Sequence, residues 1–299
     1  MAVNRRAFLK GAAVAGAGAA AAFVSSPAEA REKRAVPADA VGMLYDAALC
    51  IGCKTCVVAC KQANGNPPDT STMGALYDAP TSLNSKTRNV IKLYEEGGQQ
   101  SYMKAQCMHC VDPACINACM MGSLAKREFG IVTWHGERCT GCRYCGIACP
   151  YGVPTYEFHK AWPGVVKCEM CHHRVIKGLQ PACCEVCPRH AVIFGQYPQL
   201  LAEAKRRLAE HPDRYEPRVF GESDGGGTQV LYLSKAGIGF DKLGLPSLGA
   251  ESVPATQQDI QHALYQGFAA PAVLLAVFGG VVWRNRRMQA TDDKKEGRP

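Results

Sequence analysis

"CTGCRYCGIACP", residues 139–150, sets four cysteines at C-x2-C-x2-C-x3-C and follows the last with a proline. Working outward, the same spacing stands at Cys50, Cys53, Cys56 and Cys60 in "CIGCKTCVVAC". Between these two runs, "CMHCVDPACINAC" places Cys107, Cys110, Cys115 and Cys119 at C-x2-C-x4-C-x3-C. Downstream, "CEMC" holds Cys168 and Cys171, and after an eleven-residue gap "QPACCEVCPRH" (180–190) supplies Cys183, Cys184 and Cys187. The first three groups all end in C-x3-C. The same ending in the fourth selects Cys183 and Cys187, whereas Cys184 would shorten the last gap to x2. Cys184 is therefore the spare thiol, read as a small buried hydrophobe, with a redox or ligand-exchange role as the alternative.

The x2-x2-x3 run before a proline is the signature of a bacterial ferredoxin. Two-residue gaps let three thiolates wrap three corners of one cubane. The fourth cysteine starts a helix that points away, and it serves a neighbouring cluster. A single zinc needs only four ligands, usually from two separated C-x2-C pairs, so three thiolates within seven residues are redundant for it. Sixteen cysteine ligands to iron, four per cluster, make four [4Fe-4S] clusters. The fold class expected is α+β: two paired ferredoxin-like modules, plus a C-terminal transmembrane helix. Short strand-like runs, "GIVTWH" (130–135) and "AVIFG" (191–195), flank the cysteine loops, and "CVVACKQAN" and "CGIACPYG" begin as brief helices. "QLLAEAKRRLAEHP" (199–212) is amphipathic, with Leu200, Leu201, Ala204 and Leu208 on one stripe and a solvated basic face opposite.

The chain has 299 residues and 17 cysteines, a count that in a short secreted chain would indicate disulfides. The N-terminus argues for another route. Residues 1–30 carry Arg5-Arg6, Phe8-Leu9-Lys10, an Ala/Gly-rich apolar run and an Ala28-Glu29-Ala30 cleavage site. This resembles a twin-arginine (Tat) signal, with an ordinary secretory signal as the alternative. Tat export implies a chain folded in the reducing cytoplasm, its thiolates already occupied. The net charge of +8 includes Arg5, Arg6, Lys10 and Glu29, and falls to +6 without the leader. No basic run suits nucleic acid.

Near the other end, Ala263–Trp283 contains no charge over 21 residues, about 31 Å of helix and enough for a bilayer core. Arg284, Arg286 and Arg287 follow, which puts the tail on the cytoplasmic side. The domain organisation expected is a signal peptide over 1–30, a four-cluster domain over 31–212 with an inserted loop at 61–89, and a connector over 213–261 that packs on other subunits. A transmembrane helix over 262–283 and a cytoplasmic tail over 284–299 complete it. His109, His172, His173 and His190 lie among the cysteines and read as groups around the clusters or as plain surface, not as ligands. His262 reads as an interfacial residue, with a quinone site as the alternative.

Leader, four cysteine groups and C-terminal helix together resemble the four-cluster electron-transfer subunits of membrane-bound respiratory oxidoreductases. The likeness is strongest to the ferredoxin-like subunit of the hydrogenase-2 type. It rests on "MLYDAALCIGC" (43–53), "QCMHCVDPAC" (106–115), "CTGCRYC" (139–145), "EVCPRHAVIFG" (185–195), "GGGTQVLYL" (225–233) and "DIQHALYQG" (259–267). The resemblance implies that the first group pairs with the fourth and the second with the third. Cluster A would then use Cys50, Cys53, Cys56 and Cys187, and cluster B Cys168, Cys171, Cys183 and Cys60. Cluster C would use Cys107, Cys110, Cys115 and Cys149, and cluster D Cys139, Cys142, Cys145 and Cys119. Met120 departs from the family, in which proline often follows the cysteine.

No nucleophile–base pair or carboxylate dyad is evident, so the chain reads as a non-catalytic wire. The resemblance implies the large and small subunits of a nickel–iron hydrogenase at one end and a multi-helix quinone-reactive membrane subunit at the other. The leader, the C-terminal span and the arginines after it place the body on the periplasmic face of the inner membrane, with the C-terminus in the cytoplasm. The rivals are a wire for a molybdenum or tungsten enzyme, such as formate dehydrogenase or a sulfur-compound reductase, and a membrane-tethered metal-binding or redox-sensing protein.

Overall fold

The computed structural model describes residues 34–69, 80–257 and 274–288. One compact unit spans Lys33–Pro254, and the residues beyond it belong to a second. The first unit is organised around β1 (Val41–Asp46), whose six residues are all buried. Such a run lacks the polar alternation of a one-sided strand because both faces are covered. β1 is the middle of a three-stranded sheet, antiparallel to β8 (Val192–Gln196) and parallel to β9 (Val230–Leu233).

The period-two pleat sorts this sheet into two cores. Met43, Tyr45, Val192, Val230 and Tyr232 face a core that also contains Cys56, Cys183 and Cys184. Leu44, Leu231 and Leu233 face the opposite way, onto Leu200 and Ala204 of a long helix, Tyr197–Glu210. That helix begins two residues before the predicted 199–212 and ends two before it. Its outer face carries Arg206 paired with Glu203 and Glu210. Below the sheet β1 ends at Asp46, which is fully buried. Its carboxylate accepts from the amides of Ala48 and Leu49, from Arg207 and from Tyr215, at 2.8–3.2 Å. Asp46 thereby fixes the strand end four residues before Cys50.

The cysteine groups hang from short elements. The first runs into α1 (Thr55–Ala63) and the second into α2 (Ala114–Asn117). The third runs into α3 (Tyr144–Ala148), and the fourth carries α4 (His172–Val175) and α5 (Ala182–Glu185). The helix Tyr197–Glu210 is α6. α1 packs on α5, and α2 on α3. Three hairpins complete the unit: β2 (Val90–Glu96) with β3 (Gln99–Ala105), β4 (Leu124–Lys126) with β5 (Val132–Trp134), and β6 (Thr155–Tyr156) with β7 (Val165–Val166). The first turns on Gly97 and Gly98, both with positive φ, as a two-residue hairpin loop requires.

Two expectations need adjustment. The segment from 213, read as a connector packing on other subunits, contributes β9 to the sheet and buries Tyr215, Val219, Phe220, Phe240, Leu243 and Leu245 in this unit. Its apolar residues fill irregular gaps between elements and so show no period along the chain. The 61–89 insertion begins inside α1, where buried Lys61 pairs with Asp69 at 2.7 Å, and residues 70–79 lie outside the described residues.

In the second unit, residues 274–288 are helical, and Arg287 stacks 4.4 Å from the Trp283 ring. Among the described residues no helix is long and apolar enough to cross a membrane. The 1–30 leader, the 262–273 part of the expected span with His262, and the tail beyond 288 lie outside the described residues.

Candidate iron–sulfur centres

The four loops share one backbone device. The residue just before the second cysteine is left-handed in every group: Gly52 (φ 72), His109 (φ 48), Gly141 (φ 71) and Met170 (φ 50). A left-handed residue reverses the chain inside the two-residue gap, which brings successive sulfurs toward one centre. Glycine adopts it freely, whereas His109 and Met170 each forfeit about 1–2 kcal/mol. Both are fully buried, so packing holds the strained turn. At Gly52 a Cβ would meet the Tyr102 ring at 2.3 Å, so space as well as φ demands glycine.

The fold gathers the sulfurs across groups and not within them. Cys50, Cys53, Cys56 and Cys187 line one cavity with Tyr45, Ile91 and Pro188 (set A). Cys60 stands within electrostatic reach of Cys168, Cys171 and Cys183 (set B). Cys107, Cys110 and Cys115 are joined by Cys149 (set C). Cys139, Cys142 and Cys145 are joined by Cys119 (set D). The last cysteine of each x3 ending thus leaves its own loop, as the packing of α1 on α5 and of α2 on α3 requires.

The sets also have an order. Cys56 of set A faces Cys183 of set B, Cys168 of B faces Cys107 of C, and Cys115 of C faces Cys145 of D. The row therefore runs A–B–C–D. All four thiols of set B are buried, while Cys53 in A and Cys142 in D are exposed.

All seventeen cysteines are free thiols. Burial pushes Cys56 and Cys115 up to about 12 and Cys60 to about 11, so without iron these groups hold their protons at neutral pH. Cys183 goes the other way: a hydrogen bond from Cys184 lowers it against the effect of burial. Cys184 is buried in the core beside it and is raised by the same bond and by burial.

Further donors aim at sulfur. The Met170 amide lies 3.3 Å from Cys168 Sγ, the Ser123 amide 3.3 Å from Cys119 Sγ, and Thr55 Oγ1 3.3 Å from Cys53 Sγ. The Tyr156 hydroxyl stands 3.4 Å from Cys145 Sγ. Among the described residues no three Cys, His, Asp or Glu side chains converge as ligands of one ion do. The four thiols around the set A cavity, and the amides directed at sulfurs of sets B and D, fit the corners of cubanes.

The histidines divide. His109 Nδ1 accepts from the Val132 amide at 3.1 Å, and its buried Nε2 has no hydrogen-bond partner among the described residues. His172 pairs with Glu128 at 2.8 Å, and His173 and His190 are exposed. Met120, where relatives often carry proline, is 94% exposed and disturbs no ligand loop.

Sequence reading missed two buried lysines. Lys104 on β3 faces Cys56, Cys183 and Cys168, and Lys167 donates to the carbonyls of Val132 and Cys168 and faces Cys115. Burial opposes the Lys104 ammonium, and the three sulfurs as thiolates outweigh it, leaving its pKa above the lysine range. Nothing along the sequence marks either residue, since a lysine in a strand reads as a solvated face.

Comparison with known proteins agrees with this geometry. Two 4Fe-4S dicluster domain profiles match, one over residues 42–120 and one over 99–197. Their boundaries follow chain order and cut across the spatial pairing of the groups. The hydrogenase-2 operon protein HybA of Escherichia coli O157:H7 is 39% identical over 95% of this chain and 96% of its own length. The iron–sulfur subunit of the nitrate-inducible formate dehydrogenase of Escherichia coli strain K12 is 35% identical over 70% of this chain and 72% of its own. The formate dehydrogenase iron–sulfur subunit of Haemophilus influenzae is 34% identical over 64% of each. Four thiol-lined loops, the dicluster profiles and an end-to-end match carry one conclusion: the chain belongs to the HybA family of [4Fe-4S] dicluster proteins.

Proposed function

We propose that this chain is the electron-transfer subunit of a hydrogenase-2-type complex and performs no chemistry on a substrate itself. The observation that carries this reading is the row of four four-thiol sets, with set B buried and the two outer sets exposed at Cys53 and Cys142. Each set would hold one [4Fe-4S] cluster: A on Cys50, Cys53, Cys56 and Cys187; B on Cys60, Cys168, Cys171 and Cys183; C on Cys107, Cys110, Cys115 and Cys149; D on Cys119, Cys139, Cys142 and Cys145. A bound cluster supplies a one-electron couple. The chain's own residues hold it in place, direct the Met170 and Ser123 amides at its ligands, and exclude water from set B. Two exposed ends suit a part that meets a different partner at each.

The fuel follows from how far each likeness extends. HybA matches 95% of this chain, whereas the formate dehydrogenase subunits match 64–70% of it. This favours nickel–iron hydrogenase large and small subunits at one end and a multi-helix quinone-reactive subunit at the other. The twin-arginine leader and the uncharged stretch at 263–283 support export to the periplasmic face of the inner membrane, with one C-terminal anchor and a cytoplasmic tail. A molybdenum or tungsten partner is the second reading, on the strength of the formate dehydrogenase relatives. An anaerobic affinity pull-down of the tagged chain from its native membranes, read by mass spectrometry, tests this. Hydrogenase subunits with a multi-spanning protein support the proposal; a molybdopterin subunit would replace the fuel, and neither would overturn the wire.

A further inference from the structure

Lys104 is 0% exposed, on a strand that packs into the cysteine-bearing core. Lysine is almost never fully buried without a partner, since an ammonium loses its hydration there and needs an opposite charge in its place. Among the described residues no carboxylate pairs with Lys104. Buried Lys61 shows the ordinary solution, an ion pair with Asp69 at 2.7 Å.

Lys104 is instead held in place by neutral groups. Its Nζ donates to Gln106 Oε1, and Gln106 in turn donates to Met43 Sδ at 3.3 Å. Its carbonyl accepts from the Tyr232 hydroxyl at 2.6 Å, and Lys104 sits opposite Ile91 in the hairpin. The ammonium so fixed faces Cys56 of set A and Cys183 and Cys168 of set B, and Cys60 of set B lies within its reach as well. The anionic charges this cation can answer are therefore cysteine sulfurs, drawn from two sets at their junction.

Neutral thiols would not answer it. Four iron-bound thiolates carry the charge that protonated thiols lack. A fixed cation beside two such centres also favours whichever state holds one more electron, since net charge is among the determinants of cluster potential. We infer that Lys104 is a counter-ion shared by the clusters of sets A and B, a positioning residue that raises the reduction potentials of both above the values they would have without it. The inference rests on the functional reading above.

The test is an EPR-monitored redox titration of the intact complex from native membranes, with iron counted in the same samples, for the unaltered chain, Lys104→Met, Lys104→Gln and Lys104→Arg. In the neutral variants one or two couples should shift to lower potential by at least tenfold in the reduction equilibrium, about 59 mV for a one-electron couple. The remaining couples should stay put, and Lys104→Arg should restore the shifted ones. Neutral variants that lose iron while Lys104→Arg keeps it would also support a counter-ion. Unmoved potentials with full iron, an equal shift of every couple, or iron loss in all three variants would overturn the inference. An unaltered chain without iron would instead refute the functional reading beneath it.

Discussion

Replacing each member of the adjacent pair Cys183 and Cys184 with alanine separates a ligand from its neighbour. Cys183 belongs to set B, within reach of Cys60, Cys168 and Cys171. Cys183→Ala leaves that set three thiols, so one of about four clusters is lost or degraded, a fall of one to four iron atoms in roughly sixteen. Cys184→Ala removes one buried sulfur from the core, at about 1 kcal/mol for a small deletion. In a unit of this size that lowers the melting temperature by roughly 2–4 °C. Iron content should stay whole, because Cys184 stands outside the four sets. Iron and acid-labile sulfide assays on anaerobically prepared complex, with calorimetry alongside, read both variants. Equal iron loss from the two would refute the division of roles, and loss from Cys184→Ala alone would reverse it.

Three further outcomes follow from named contacts. Asp46→Ala takes a fully buried carboxylate from Tyr215 and from the half-buried Arg207, which keeps Glu203, at about 3 kcal/mol, so calorimetry should show a melting temperature lower by roughly 10 °C. Gly52→Ala places a methyl 2.3 Å from Tyr102 at φ 72 and should cost iron as well as stability, whereas Gly65→Ala, at φ 64 in open space, should cost only about 1 kcal/mol and no iron. Ligation requires thiolates, and burial holds Cys56, Cys60 and Cys115 protonated up to about 11–12. Cluster assembly at pH 7 should therefore release protons, and iron affinity should rise with pH until those values are passed; pH-stat recording during reconstitution that shows no release would refute this.

What could be read from the sequence was local. Cysteine spacing announced iron–sulfur loops, and the stripe of Leu200, Ala204 and their neighbours announced α6. β1 escaped notice because "VGMLYD", covered on both faces, has no alternation to detect. The β2–β3 hairpin was missed too, although Gly97-Gly98 is a fair turn signal, because its strands carry Lys92, Glu95, Glu96 and Lys104. Only the fold distinguishes the fully buried Lys104 from Lys92, which is exposed. Likewise no residue type betrays that His109 and Met170 take the left-handed turn that glycine takes at 52 and 141. The order of the sets was beyond sequence altogether, since it depends on which sulfurs face each other across packed helices.

The most direct test of the central claim is anomalous diffraction at the iron edge from anaerobic crystals of the intact complex. The account predicts four iron peaks in one row, in the order A, B, C, D, with the outer two beside Cys53 and Cys142. Fewer peaks, a zinc signal, or a peak ligated within one cysteine group and not across two would contradict it.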